Sequence, residues 1–293
     1  MYLHGEDFKK LKISDEKYFS PSMGNIFEDQ IRTPFDLNKE LVVSNSLLGQ
    51  VFNRGLFNVL HGKDLMKKSE GISEDLKDIF ILGSAFHCYV LEHDEFYSRY
   101  YVSDYSDKNK DAIGFSHVSK TDFEFIKECF IEIKKMYPSV VTSKYNEITI
   151  TGILDGVPVK AKIDCLIANN PKSDKVLEII DLKGVYYKFF DQRAKKTLSS
   201  GDRVGLRSSI TALNYDLQGF FYTELISHAY GINRDDIAFN LLLCSKDDYS
   251  VQLFRLNTDK ILKSGEEKFN FIWDDVKDFV LNGKDVVKNY IEV

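Results

Sequence analysis

VKAKIDCLI at residues 159–167 and LEIIDLK at residues 177–183 are two apolar stretches, and each contains one aspartate. Branched apolar residues recur in both, and the NNPKS segment between them is typical of a turn, so we expect a β-hairpin. Side chains two residues apart on a strand share a face, which places Asp181 beside Lys183. If the two strands pair in register, Asp164 joins them, and the hairpin brings two carboxylates and one ammonium together.

This group of side chains is a candidate metal centre. Carboxylate oxygens bind hard divalent cations such as Mg²⁺, and a neighbouring ammonium can orient a water molecule or stabilise a developing oxyanion. Taken alone, an Asp-x-Lys triplet is more often an exposed salt bridge at a strand end. A strand rich in Ile and Leu that ends on a charge favours a site, because a buried carboxylate is costly unless it is paired or bound to metal.

Two further candidate site residues lie earlier in the chain. Glu147 belongs to an alternating stretch at residues 145–151, so three consecutive predicted strands each carry an acidic residue. An exposed charge at the start of a strand is an equally good interpretation of Glu147. His87 lies on the apolar face of a helix predicted from about Asp75. Histidine on such a face is usually a core residue, and the functional alternative is a metal ligand or phosphate contact that reaches the carboxylates.

Residues 183–207 are basic, although the whole chain has a formal net charge of −6. The segment interleaves aromatic and cationic side chains, which suits phosphate attraction and base stacking, whereas a solvated helix face is the simpler interpretation. The candidate DNA-binding residues are Lys188, Arg193, Lys195, Lys196, Arg203 and Arg207. Further on, Gln218 and Tyr222 lie one turn apart on a helix predicted over residues 208–229, so both can point to one spot.

Length and composition predict one compact catalytic domain. With 293 residues, 43% of them hydrophobic, and only five prolines, the chain can bury a large core and contains no obvious linker. We expect an N-terminal arm over residues 1–39 and a single domain over residues 40–293. The four cysteines lack metal-binding spacing, and we find neither a signal peptide nor a membrane-spanning apolar run. These features predict a cytoplasmic protein.

The order of the motifs resembles the PD-(D/E)XK nuclease superfamily in its RecB-like branch. That order is a helix with Gly-x-x-x-His, strands carrying Glu, Asp and Asp-x-Lys, and a helix with Gln-x-x-x-Tyr. VSNSL at residues 43–47, LGSAFH at residues 82–87 and KAKID at residues 160–164 are most similar to the RecE-type exonucleases, the exonuclease VIII group. The resemblance implies an α/β, restriction-endonuclease-like core: a central mixed sheet flanked by helices, with extra N- and C-terminal helices.

The resemblance also implies roles for individual residues. The implied metal ligands are Asp164, Asp181, His87 and the Leu182 carbonyl, and the implied ion is Mg²⁺ or Mn²⁺. The implied catalytic residues are Asp164, Asp181, Lys183, Gln218, Tyr222 and Glu147. Lys183 would activate or position the attacking water, and Gln218 with Tyr222 would hold the scissile strand or support that lysine. The chain departs from the usual pattern at Asp181, where many members have Glu, and at Gly184, where Thr is usual.

The function that the resemblance implies is a metal-dependent DNA exonuclease. It would act 5′ to 3′ on the ends of linear double-stranded DNA, in phage-type recombination with a single-strand annealing protein. Relatives of this type form rings, so we expect a homo-oligomer. Two alternatives stay open: a structure-selective or single-strand nuclease of a defence or anti-defence system, and a nuclease-fold DNA-binding scaffold that does not cleave. Intact Asp164, Asp181 and Lys183 speak against the scaffold.

Overall fold

The structure is a computed structural model that describes residues 42–56, 74–104, 115–170, 173–185, 210–256 and 259–282. The strands are β1 (Val43–Ser44), β2 (Tyr100–Ser103), β3 (Ser116–Ser119), β4 (Asn146–Leu154), β5 (Val157–Ala168), β6 (Leu177–Val185), β7 (Ile237–Ser245) and β8 (Val251–Arg255). The α-helices are α1 (Asn45–Arg54), α2 (Glu74–Leu91), α3 (Phe96–Arg99), α4 (Lys120–Met136), α5 (Pro138–Thr142), α6 (Tyr215–Tyr230) and α7 (Asp259–Asn282). The predicted N-terminal arm, residues 1–39, lies outside the described residues.

A mixed sheet forms the centre of the fold. Its strand order is β1-β5-β6-β7-β8, and β4 pairs with β5 as well. The pairs β4–β5, β5–β6 and β7–β8 are antiparallel, whereas β1–β5 and β6–β7 are parallel. β2 and β3 form a separate parallel pair. The predicted α/β fold with a central mixed sheet is therefore confirmed.

Alternating burial along β5 explains why this segment is a strand. Val157, Val159, Ala161 and Ile163 are buried, and the residues between them are partly exposed. A turn at Asp155 and Gly156 joins β4 to β5, and both residues have positive φ, at 48° and 84°. Asp-Gly is a favoured pair for such two-residue hairpin turns, because glycine adopts positive φ without strain. The strand predicted over residues 145–151 consequently extends as far as this turn.

Helices cover the sheet on both faces. One core cluster joins it to α1, α6 and α7 and includes Phe221, Phe239 and Trp273. The other joins it to α2, α4 and α5 and includes Phe86 and Ile126. Burial of these large apolar side chains is the main favourable term in folding. Every helix in the described residues is too short or too polar to cross a bilayer.

The helix predicted over residues 208–229 is wrong at its start. A short helical turn at residues 210–212 is followed by Asn214, whose φ of 58° is left-handed, and α6 begins only at Tyr215. A left-handed residue interrupts the helical hydrogen-bond ladder, because α-helices of L-residues require negative φ. The change of direction leaves Leu213 46% exposed, although the helical pattern predicted that it would be buried.

A close helix contact fixes the start of α6. A Cβ atom added to Gly265 of α7 would lie 2.1 Å from the carbonyl oxygen of Asp216, so only glycine allows this approach. The buried Asp216 carboxylate accepts hydrogen bonds from Ser264 Oγ at 2.8 Å and Lys268 Nζ at 2.9 Å. A buried charge is stable when it is paired and hydrogen-bonded in this way. The contact holds the first turns of α6, which also carry Gln218.

We expect Gly265→Ala to destabilise the protein. The added methyl group meets backbone rather than a movable side chain, and overpacking of this kind costs about 1–3 kcal/mol or more. Chemical denaturation measures the change in the free energy of unfolding. Gly49→Ala is the matched control, because its Cβ would meet only Asn214 Nδ2 at 3.8 Å. It should be neutral or stabilise the helix by up to about 1 kcal/mol. Equal stability of the two variants would contradict the proposed contact.

Candidate active site

Three carboxylates lie in a row across neighbouring strands. The β4–β5 register places Glu147 level with Asp164. The β5–β6 register pairs Cys165 with Ile180, and continuing it by one residue places Asp164 level with Asp181. The hypothesis that three consecutive strands each present an acidic residue therefore agrees with the register of the sheet.

Asp164 lies where the sheet opens. β4 occupies one edge of β5, so β1 and β6 share the other edge, where they pair with residues 159–160 and 165–168. In the described pairing, residues 161–164 are bridged by neither of these two strands. Asp164 Oδ2 instead accepts a hydrogen bond from the backbone N–H of Leu182 at 2.7 Å. The side chain thus satisfies a backbone donor at the point where β5 and β6 separate.

Glu147 has an unusual backbone conformation within its strand. Its φ is 53°, in the left-handed region that non-glycine residues rarely adopt. Asn146 donates to the carbonyl oxygens of Leu91 and Val140 on one side of the sheet, whereas Ile148 belongs to the core on the other side. Residues two apart on a regular strand would share a face, so the alternation shifts by one residue at Glu147. Such strain costs about 1–3 kcal/mol and persists where the surroundings impose it.

His87 connects α2 to the carboxylates. Its Nε2 lies 2.9 Å from the carbonyl oxygen of Leu182, and its Nδ1 lies 3.5 Å from Asp164 Oδ1 and 3.6 Å from Glu147 Oε1. Burial lowers the pKa of His87, but the two carboxylates outweigh it and raise the pKa to about 10. Metal-binding histidines commonly donate their second ring N–H to a backbone carbonyl. The ring is therefore oriented as a ligand would be, with Nδ1 towards the carboxylates, and a metal would take the place of the proton on Nδ1.

The two aspartates have different environments. Burial raises the pKa of Asp164, but His87, Lys183 and the Leu182 N–H outweigh it and lower the pKa to about 2. Burial also raises the pKa of Asp181, and the negative charge of Asp164 adds to this effect, so that the pKa is about 6 even though Lys183 lowers it. Asp181 Oδ1 accepts a hydrogen bond from Gln218 Nε2 at 2.7 Å. Asp164 is therefore ionised at neutral pH, whereas Asp181 needs a nearby cation to hold its charge.

Lys183 is such a cation. Its Nζ lies 2.8 Å from Asp181 Oδ2 and 5.6 Å from the centre of the Tyr215 ring. Burial disfavours its charge, but Asp181 and Asp164 outweigh it and raise the pKa of Lys183 above its usual value. The predicted placement of Asp181 beside Lys183 agrees with this contact. Tyr222, one turn after Gln218, is buried, and its ring packs edge-to-face on Phe239 with centroids 6.0 Å apart.

Lys162 forms an ion pair with Glu147, and no role for it was predicted. The available signal was its position two residues before Asp164, on the same strand face. The contact offsets part of the negative charge that three carboxylates place in one spot. It also holds the strained Glu147 side chain towards the site.

The donor atoms fit a divalent cation. His87, Glu147 and Asp164 each offer one ligand atom, and these atoms all lie within 4.8 Å of one another. Glu147 Oε1 and Asp181 Oδ2 are buried without a hydrogen-bond partner among the described residues, although Asp181 Oδ2 contacts Lys183 as an ion pair. Buried acceptors of this kind are costly, and a bound cation satisfies them. Carboxylate oxygens suit Mg²⁺ or Mn²⁺, whereas an imidazole nitrogen is a more usual ligand of transition metals than of Mg²⁺.

The predicted metal ligands and the group of His87, Glu147 and Asp164 overlap only in part. His87 and Asp164 belong to both. Glu147 takes the third place in the group, and Asp181 lies outside it with its oxygens towards Gln218 and Lys183. Asp181 and the Leu182 carbonyl stay predicted ligands. The six predicted DNA-binding residues, between Lys188 and Arg207, lie outside the described residues.

We expect Mn²⁺ to stabilise the folded protein. A ligand at 100 times its Kd that binds only the native state adds about 2.7 kcal/mol to the free energy of unfolding. Thermal melts with Mn²⁺ and with EDTA measure the effect as a shift in Tm. Asp164→Asn should remove most of the shift, and Asp174→Asn should keep it, because the Asp174 side chain is 71% exposed on the surface. An equal shift in all three proteins would contradict metal binding at Asp164.

Comparison with known proteins agrees with this fold. The family model described as a PDDEXK-like domain of unknown function (DUF3799) matches residues 62–285, so the chain belongs to this family. The fold and family together confirm the predicted PD-(D/E)XK nuclease superfamily and support a hydrolytic nuclease that acts on DNA. Nucleases of this class generally use divalent metals. The finer similarity to RecE-type exonucleases stays a prediction.

One solved structure shows how far the fold is shared. The chain is similar to the crystal structure of a Eubacterium rectale protein that is provisionally described as an exonuclease, with a TM-score of 0.55 and 16% identity. The match covers 94% of this chain and 88% of that chain. At this identity the likeness shows the fold alone. No curated protein matches the sequence.

Proposed function

We propose that this protein is a divalent-metal-dependent deoxyribonuclease that hydrolyses phosphodiester bonds. The observation that carries the proposal is the row of Glu147, Asp164 and Asp181, which His87 and Lys183 complete. Within this row, Glu147 Oε1 is buried without a hydrogen bond among the described residues, and Asp181 Oδ2 has only its ion pair with Lys183. A structural salt bridge would not require three acidic residues at one opening in a sheet.

Hydrolysis requires a nucleophilic water near phosphorus and neutralisation of the charge that develops on the phosphate oxygens. When bound, Mg²⁺ or Mn²⁺ lowers the pKa of water and neutralises phosphate charge. His87, Glu147 and Asp164 would hold the ion, and Asp181 is a further candidate ligand. The lowered pKa of Asp164 favours this role, because the carboxylate stays ionised at neutral pH.

Lys183 and Gln218 have separate tasks in this proposal. The raised pKa of Lys183 keeps it an ammonium, so it stabilises negative charge or donates a proton and does not act as a general base. Its ion pair with Asp181 holds the Nζ atom close to the carboxylates. Gln218 fixes the other oxygen of Asp181 and thereby orients the pair. Tyr222 lies one turn after Gln218 on α6, and its ring packs in the core against Phe239.

The finer proposal is an exonuclease that acts 5′ to 3′ on linear double-stranded DNA. Its support is the similarity of residues 82–87 and 160–164 to RecE-type exonucleases, together with the basic composition of residues 186–207 directly after the site. Sequence-independent attraction to phosphates suits an enzyme that degrades DNA without base preference. By the same resemblance we propose a ring-shaped homo-oligomer in the cytoplasm, which works with a single-strand annealing protein in phage-type recombination.

End-labelled DNA tests the proposal. Linear duplexes labelled at the 5′ or the 3′ end, linear single strands and closed circles are incubated with Mg²⁺ and, in parallel, with EDTA. We expect mononucleotides from linear duplexes only, early release of the 5′ label, and no reaction in EDTA. Nicked circles would show an endonuclease, and preference for single strands would favour the structure-selective alternative. Retarded DNA without cleavage would overturn the proposed hydrolysis and favour a binding scaffold.

A further inference from the structure

A cleft of about 320 Å³ opens beside the candidate metal ligands. His87, Glu147 and Asp164 form part of its wall, so it is continuous with the site. Asp181 and Lys183 do not line it. The cleft therefore extends from the carboxylates towards α2 and away from the lysine.

One face of α2 shapes this cleft. Phe80, Gly83, Ser84 and His87 recur at helical spacing, so their side chains follow one side of the helix. Gly83 and Ser84 are small and leave the middle of the cleft open. A Cβ atom added to Gly83 would meet nothing within 4 Å. Phe80 stands at the other end of this face from His87.

Phe80 and its neighbour Ile79 form an exposed apolar lip. Phe80 is 64% exposed and Ile79 is 59% exposed, although both line the cleft. Large apolar side chains exposed together beside a polar site usually mark a binding surface. An aromatic ring can stack on any nucleic-acid base, because every base has a π-face.

Cationic side chains complete the wall of the cleft. Arg99 lies in the wall and is held by Glu92 at 3.0 Å and Glu95 at 3.4 Å. Lys162 lies in the wall as well and is paired with Glu147. The lining thus combines an apolar lip, fixed cations and candidate metal ligands. A nucleotide combines the corresponding parts, since it carries an apolar base face, polar edges and a phosphate.

We infer that this cleft binds the nucleotide next to the scissile phosphate, with its base against Phe80 and Ile79 and its phosphate towards His87 and Asp164. This inference rests on the proposed nuclease function and deepens it. The volume of the cleft lies at the small end of the range for ligand pockets, which is about 300–1,000 Å³. The cleft therefore accommodates one nucleotide rather than a duplex. The last base pair consequently opens before cleavage.

Short duplexes with 2-aminopurine as the terminal base test the inference. Wild-type protein should raise the 2-aminopurine fluorescence, because the base leaves the duplex stack, whose bases quench it more strongly than a phenylalanine ring does. Phe80→Ala should reduce this rise, because the opened base loses its stacking partner, and raise the KM for cleavage about tenfold, with a smaller change in kcat. Phe271→Ala is the matched control, because Phe271 is 69% exposed and lies on α7 in the opposite helical layer. It should behave as wild type in both measurements.

Gly83→Leu provides a second, opposite change that fills the cleft. The leucine side chain should occupy the space for the nucleotide and lower kcat/KM at least about tenfold. The Tm of this variant should be unchanged or higher, because glycine is a weaker helix former than leucine. If the wild-type protein cleaves and neither variant changes the fluorescence rise or the KM, the inference is overturned and the nuclease stands. If the wild-type protein raises the fluorescence of the terminal base without cleavage, the cleft stands and the proposed hydrolysis fails. Absence of both the fluorescence rise and cleavage in the wild type overturns both.

Discussion

Asp164→Asn should lower the rate of metal-dependent DNA cleavage by about 10³-fold while the fold stays intact. Asp164 is the carboxylate that lies level with both other acidic residues, and it belongs to the group that fits a cation. Asparagine keeps an oxygen that can accept the hydrogen bond from the Leu182 N–H, but it loses the charge that attracts the ion. Initial rates on end-labelled linear duplex with saturating Mg²⁺ measure the loss, and circular dichroism checks the fold.

Asp174→Asn is the control for this prediction, because it removes one exposed carboxylate that pairs with Arg255 and not with a residue of the site. It should cleave as the wild type does. Asp181→Asn and Glu147→Gln then separate the two possible third ligands. If Glu147 completes the ligand set, Glu147→Gln should weaken Mn²⁺ binding more than Asp181→Asn does. Cleavage by Asp164→Asn at the wild-type rate would refute the metal assignment.

Lys183→Met should slow hydrolysis by about 10²–10³-fold and change DNA affinity little. The ammonium lies 2.8 Å from Asp181 and packs over the Tyr215 ring, so it is fixed beside the carboxylates. Removing a fixed charge that stabilises the transition state lowers kcat more than it weakens ground-state binding. Single-turnover rates and equilibrium DNA binding, measured on the same duplex, separate the two effects.

Lys135→Met controls for the loss of a positive charge. Lys135 pairs with Glu132 on α4, and its side chain is 71% exposed. We expect no change in cleavage rate from this variant. A loss of DNA affinity in Lys183→Met as large as its loss of rate would show that Lys183 is only a phosphate contact. A Tm measured in parallel separates either outcome from unfolding.

Local patterns were sufficient to predict the strands that carry the acidic residues and their order, whereas the central mixed sheet was expected from the resemblance. Alternation along residues 157–163 reflects a strand with one buried face, and the apolar run before Asp181 reflects a strand buried on both faces. Their order along the chain then places Glu147, Asp164 and Asp181 on adjacent strands. These features depend on residues close in sequence, which is why the sequence alone could reveal them.

Long-range features could not be predicted in the same way. The left-handed conformation of Glu147 and its approach to His87 depend on packing between α2 and β4, and the sequence carries no signal for that geometry. The late start of α6 depends on Asp216 and Lys268, which are 52 residues apart in sequence. Tertiary contacts of this kind override local helix propensity. The nucleotide cleft likewise becomes visible only when α2 is placed against the strands.

A crystal soaked in Mn²⁺ tests directly whether a divalent cation binds among these side chains. We expect an anomalous peak within about 2.5 Å of an Asp164 carboxylate oxygen, with His87 and either Glu147 or Asp181 as further ligands. The same soak of Asp164→Asn should lose the peak. Wild-type crystals that show no peak at Asp164, under Mn²⁺ concentrations that support DNA cleavage, would contradict the metal-dependent mechanism.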